Sequence, residues 1–222
     1  MRVDSGEGPL TLVHPEAPIP GGAQRALTLV ESARLLGSYR WIEWRLFEVV
    51  GEWVANEVDP GARLLFDVQS RHHSWHSQLW SDRLPEVEGV VDPESVTAPS
   101  GPEIEELMAS LSGQTDGDGG SGTGGTLVRL VGLARVVLPR LVCGYLRHLS
   151  AAVPVSDDPV IRALRLALRD ETEDWQATEL MVQSLLRRPH DVAVVTDHQQ
   201  RLEALVAGSG PGLVAWPGEL LD

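Results

Sequence analysis

Helix-breaking signals divide this chain into two pairs of long amphipathic segments, and that division constrains the fold more than any other feature. Residues 23–57 carry a helical pattern that stops at Asp59-Pro60-Gly61. Asp59 suits an N-cap and Pro60 a first helical position for a second segment, residues 60–83, which ends at Leu84-Pro85. So short a connection predicts an antiparallel hairpin. A third segment, residues 127–152, contains Pro139, which is expected to bend it, and ends before Pro154. A fourth, residues 158–188, opens with Asp157 or Asp158 as cap and Pro159 in its first turn, and stops at Pro189. Residues 191–206 read as a lesser helix or mixed segment. Between the hairpins, residues 86–125 form a crossover linker with a small acidic helix at 102–111 and a flexible Gly-rich run at 117–125. Residues 1–22 and 207–222 read as flexible tails. The expectation is an all-α domain over 23–206, a four-helix bundle of two antiparallel hairpins joined by a long crossover connection.

Composition narrows the classes of function. The net charge is −14 and all 18 basic residues are Arg, as a GC-rich coding sequence would give. Such an acidic chain is poorly suited to nucleic-acid phosphates or an anionic membrane surface, so neither is expected as a partner. No apolar run is long enough to span a bilayer, and residues 1–20 lack the basic and apolar segments of a secretory signal. A cytoplasmic location is the resulting expectation. Cys143 is the single cysteine, so no internal disulfide forms, and its apolar neighbours predict a buried position.

Placing residues at about 100° per position exposes an anomaly in the apolar stripes. In the first segment Glu43 lies at the centre of a face built by Leu29, Ser32, Leu36, Tyr39, Leu46, Phe47, Val50 and Val54. In the fourth, Glu171 lies among Val160, Leu164, Ala167, Leu168, Trp175, Thr178, Val182 and Leu185, with Asp174 at the edge. The second segment's buried arc holds Leu65, Val68, Gln69, His72, Trp75, His76, Leu79 and Trp80, with His73 at its edge and Ser74 and Ser77 pointing away. A lone carboxylate in an apolar core costs several kcal/mol or takes up a proton. Two such carboxylates beside several histidines therefore call for a neutralising partner. Counting from the turn at Asp59 places Glu43 level with Trp75, between His72 and His76. Imidazole nitrogen and carboxylate oxygen together are good ligands for iron, manganese or zinc.

The pattern resembles the ferritin-like superfamily, whose members carry a Glu on the first helix and Glu-x-x-His on the second, repeated in the second hairpin. The matching positions are Glu43, then His73-Ser74-Trp75-His76, then Glu171-Thr172-Glu173-Asp174, and the resemblance runs over residues 27–188. It implies candidate metal ligands Glu43, His73, His76, Glu171 and Asp174. The chain departs from the family pattern in three places. His73 stands where the family has Glu, Asp174 stands where it has His, and residues 127–149 contain no Asp or Glu. The third segment instead shows an apolar stripe of Leu130, Leu133, Val137, Leu141, Gly144 and His148, with Arg140 near its edge.

Counting from the turn near Ser156 sets Glu171 opposite Leu141, so Arg140 is expected to pair with Glu171 or Glu43 in place of a metal. His72, Arg140 and His148 are thus the expected polar partners in the core. The resulting expectation is a degenerate, ferritin-like protein with a core free of cofactor and a structural or interaction role. The alternative is a di-iron or mononuclear metal oxidoreductase that uses the Glu/His cluster with iron or manganese. Trp41, on the outer face of the first helix, is expected either to pack under the crossover or to mark a homodimer or protein-partner interface. His190 and His198 are expected to form surface pairs with Asp191 and Asp197.

Overall fold

The computed structural model describes residues 26–112, 123–208, 212–214 and 216. The 1–22 tail, most of the Gly-rich run and much of the C-terminal tail lie outside these residues.

α1 (Leu29–Asn56) opens with a capping box: Thr28 Oγ1 accepts from the Glu31 N–H, and the Glu31 carboxylate accepts from the Thr28 N–H at 2.7 Å. α2 (Pro60–Ser81) starts at Pro60, and Asp59 Oδ1 accepts from the Ala62 N–H at 2.9 Å. α3 (Pro93–Val96) is a single turn and α4 (Pro102–Ser112) a longer helix, both within the crossover. α5 (Thr123–Val131) continues through a π-helical turn at Gly132–Val137 into α6 (Leu138–Ala151). α7 (Asp158–Leu185) and α8 (Pro189–Gly208) complete the order. Residues 123–125, expected in the flexible run, belong to α5. Asp157 precedes α7, but its carboxylate accepts from the Val153 N–H at 2.8 Å rather than capping that helix. No helix among the described residues is long and apolar enough to cross a membrane.

Side-chain bonds fix how the helices run. Ser70 Oγ donates to the Phe47 carbonyl and Ser77 Oγ to the Arg40 carbonyl, each at 3.2 Å. As one partner advances along the chain the other retreats, so α1 and α2 are antiparallel. Between α2 and α7, Gln69 meets Thr178 and His76 meets Glu171 in the same opposed order. α6 packs against α7, while α3 and α4 lie on α1. The approach of α3 is close enough that a Cβ on Gly37 would lie 2.1 Å from the Val96 carbonyl oxygen, so only glycine fits there. Between Val87 and Val91 a tight turn uses Gly89 at φ 72°, a conformation costly for other residues.

Several expectations about this frame need correction. Residues 191–206 are part of a full helix, α8, which packs on α4, α5 and the π turn and buries Val195, His198, Leu202 and Val206. His198 and Asp191 are therefore inside rather than at the surface, and Asp191 pairs with Arg188 at 2.9 Å. The C-terminal region likewise contributes Leu213, Val214 and Trp216 to the core. Cys143 is exposed, not buried.

The core is continuous along the bundle. Trp53 and Phe66 meet edge to face at 5.2 Å between ring centroids. Nearer the middle, Tyr39, Trp80 and Tyr145 form a fully buried trio with centroids 4.8–5.3 Å apart. This trio borders the polar cluster described next.

Candidate metal centre

Three helices deliver the cluster. α1 supplies Glu43, α2 supplies His73 and His76 one turn apart, and α7 supplies Glu171, all four with no exposed surface. His73 Nδ1 lies 2.7 Å from Glu43 Oε2 and 3.2 Å from Glu171 Oε1. His76 Nδ1 lies 3.1 Å from the same Glu171 oxygen and 3.4 Å from Glu43 Oε1. One donor atom from each of the four residues falls within 4.8 Å of every other. Donors held at about 2.0–2.2 Å from a transition metal in a tetrahedron stand about 3.3–3.6 Å apart. The cluster is therefore already at a separation that a small cation can bridge.

A second layer orients these groups. The Tyr145 hydroxyl donates to Glu43 Oε1, and Trp80 Nε1 donates to the Tyr145 oxygen at 3.1 Å. His76 turns its Nε2 toward Asp170 Oδ2 at 3.2 Å, so a carboxylate holds the far side of a ring whose Nδ1 faces the cluster. Metal-bound histidines are characteristically held this way. One turn along, His72 Nδ1 meets Asp174 Oδ2 at 2.8 Å. Gln69 Nε2 donates to Thr178 Oγ1 at 2.6 Å and to the Asp174 carbonyl at 3.2 Å.

Burial opposes charge on every member, yet the members reverse that effect on one another. Burial acts to raise the Glu43 pKa, but His76 and His73 overcome it and hold the carboxyl well below its ordinary range. Burial acts to lower His73, but Glu171 and Glu43 drive it up; His76 rises likewise under Glu43, Asp170 and Glu171. Tyr145 is pushed up by burial and by the Glu43 charge, which keeps its proton on the hydroxyl. Asp174 is raised by burial, with His72 opposing.

Of the expected ligands, Glu43, His73, His76 and Glu171 come together, while Asp174 pairs with His72 at the edge. His148 stands apart. Its ring packs on Tyr39 and Trp216 at 5.8 and 5.9 Å, its Nδ1 has no partner, and burial lowers its pKa to about 4. The expected pairing of Arg140 with Glu171 or Glu43 does not form. Arg140 turns outward to Glu203 on α8, with Nη1 at 3.2 Å, and donates to the Val136 carbonyl at 2.9 Å. α8 supplies a closer carboxylate on the outer side of α6, so the guanidinium avoids desolvation in the core.

The buried arc of α2 is turned from the expected one. Ser70, His73 and Ser77 face inward, and Trp75 is 44% exposed. The two serines are small, and their hydroxyls bond back to α1 carbonyls, which lets α1 and α2 approach closely. Trp41 is half-buried, and with Trp44, Phe47, Trp75 and Thr97 it lines an open groove of about 670 Å³.

Tyr145 and Asp170 escaped the sequence reading. A π turn holds more residues than an α turn and rotates everything after it. The inward face of α6 is thereby widened: Leu141 and His148 of the expected stripe stay buried, and Leu138, Val142, Tyr145 and Leu149 join them. The signal for Asp170 was its position beside Glu171 on the α2-facing side of α7.

Comparison of the chain with protein-family models, with curated proteins and with solved structures gives no match. The site itself must therefore carry the functional argument. The donor set fits a divalent transition metal on two observations. Glu171 Oε2 is buried without a hydrogen-bond partner. Among the described residues no arginine pairs with Glu43 or Glu171, so the cluster lacks any permanent cation of its own.

Proposed function

We propose that this chain is a metal-binding helical bundle of ferritin-like architecture that holds one divalent transition-metal ion. Glu43, His73, His76 and Glu171 are its ligands. The observation that carries this reading is the convergence of two carboxylates and two imidazole Nδ1 atoms in a solvent-free interior without a neutralising arginine. Two carboxylates and two neutral imidazoles balance a doubly charged cation, and the mixed nitrogen and oxygen set suits iron, manganese, cobalt or zinc. Relative to a di-iron pattern the site is reduced. The long third helix offers the Tyr145 hydroxyl at the cluster, and no carboxylate, so one ion is the appropriate stoichiometry.

Each residue has a distinct task. Asp170 fixes the His76 ring so that Nδ1 points inward. Tyr145 and Trp80 lock Glu43 Oε1, leaving Oε2 toward His73. The aromatic trio excludes water from the α1–α6 side. Iron or manganese held here would supply one-electron redox chemistry. Four protein ligands and complete burial suit a structural or electron-transfer role better than hydrolysis, which needs an open coordination position.

A second reading is a metal-free core in which both histidines are protonated and balance the two glutamates, giving a structural or interaction protein. The 2.7 Å contact of His73 with Glu43 favours it. Titration with cobalt(II) separates the two. The metal reading expects saturation at about one equivalent with the absorption of a four-coordinate site. Glu43→Ala is expected to abolish that signal with its helical circular dichroism intact. A wild-type protein that takes up no cobalt supports the metal-free core.

A further inference from the structure

A buried site must be reached. Three of the seams around the cluster are closed. Between α1 and α2, the open groove beside Trp41 and Trp75 ends at Ser77, which with Ser70 ties the helices by hydrogen bonds, and Trp80 is fully buried beyond it. Between α1 and α6 stand Tyr39 and Tyr145, both fully buried. Between α6 and α7 the buried side chains are apolar, among them Leu138, Leu141, Leu164 and Leu168. A hydrated cation crosses none of these without losing its water to hydrocarbon.

The α2–α7 seam is different. Its outer row consists of His72, with its side chain 33% exposed, Asp174, whose carboxylate lies 2.8 Å from His72 Nδ1, and the partly exposed Asp170, 3.2 Å from His76 Nε2. The His72 ring is stacked with that of His76, 6.2 Å between centroids, and Asp174 is one turn from Glu171 on α7. Polar groups thus line this seam from solvent to the ligands, among which Glu171 Oε2 is buried without a partner.

We infer that the His72–Asp174 pair is the entry station through which a divalent metal ion exchanges its water for protein donors on the way to the buried ligands. The inference rests on the metal-binding reading and adds a route to it. Asp174 attracts the cation and replaces part of its hydration, and His72 offers nitrogen at the same step. Neither is a ligand in the final site. A residue that lowers the barrier of a passage lowers it in both directions, so its loss slows binding and release together.

Stopped-flow loading of the metal-free, full-length protein with cobalt(II), followed by release to a chelator, tests this. Asp174→Asn is expected to slow loading and release alike by about ten-fold, as about 1.4 kcal/mol added to one shared barrier does. The dissociation constant stays near that of the wild type. His72→Gln is expected to act in the same direction, which guards against a folding defect in one variant. Asp67→Asn, an exposed acid paired with Arg71 away from the seam, is expected to load at the wild-type rate. Unchanged loading in both seam variants overturns the inference and leaves the metal site standing. Faster release with unchanged loading also overturns it, because Asp174 would then act on affinity. A wild-type protein that binds no cobalt overturns the route together with the site.

Discussion

The Glu57 carboxylate and the Glu43–Glu171 pair are both buried in this bundle, and only the second of these sites is incomplete. Glu57, at the end of α1, is 1% exposed, and every donor it needs is in place. Its Oε1 accepts from Thr126 Oγ1 at 2.6 Å and from the N–H groups of Val58 and Asp59 at 2.9 and 3.0 Å, and Oε2 accepts from Arg129 at 3.1 Å. Glu43 and Glu171 are buried as deeply, but their partners are histidines, and Glu171 Oε2 has none. Burial of an acid is therefore not what distinguishes a metal site. The identity of the neutralising group is. A guanidinium cannot give up its proton, so Arg129 makes Glu57 a permanent structural tie. An imidazole can yield a proton to make room for a metal, which leaves the second site exchangeable.

The sharpest way to break this contrast is at the tie. Arg129→Met leaves the Glu57 carboxylate buried without a cation and is expected to cost about 3–5 kcal/mol in a denaturant titration. The double variant with Glu57→Gln should recover much of that loss. Were Arg129→Met nearly neutral, Glu57 would not be the closed site described here.

His148 offers a second test, because it shows what burial does to an imidazole without a close carboxylate. Its pKa falls to about 4, below the value near 6.5 of an unfolded chain. The unfolded chain therefore takes the proton first. Stability from this group is intact above about pH 6.5 and declines as the pH falls toward 4, by on the order of 3 kcal/mol in all. His198, which burial also lowers to about 4, titrates in the same window. The His148 share is thus read as the difference between wild type and His148→Gln. Equal pH slopes in the two proteins would contradict it.

The smallest effect is expected at the incomplete site. With metal removed by a chelator, Glu171→Gln takes away a carboxylate that helps to hold His73 protonated, but the histidine can then shed that proton, as Arg129 cannot. It is expected to change stability by only about 1 kcal/mol in either direction. A loss of several kcal/mol would mean that Glu171 is as firmly tied as Glu57.

Much of this arrangement is legible in the sequence, and the rest is hidden for identifiable reasons. The caps and breakers around Asp59-Pro60 and Pro189 mark the long helices, and the 3.6-residue period puts Glu43 and Glu171 at the centre of apolar stripes. The turn count also brings His76 near Glu43. What the period cannot show is a face chosen for size rather than hydrophobicity. Ser70 and Ser77 point inward because α1 and α2 pack closely there, and this rotates His73 in and Trp75 out. Nor does a uniform 100° step anticipate the π turn at Gly132–Val137, which hides Tyr145. Arg140 is misplaced because α8 reads as a minor segment, and so its Glu203 goes unnoticed as a partner.

The most direct test of the central claim is elemental analysis of the intact protein, purified without chelators from cells supplied with iron and manganese. The metal reading calls for about one transition-metal ion per chain in the wild type and none in Glu43→Ala. A wild-type protein that is folded, takes up no added metal and contains none would contradict it.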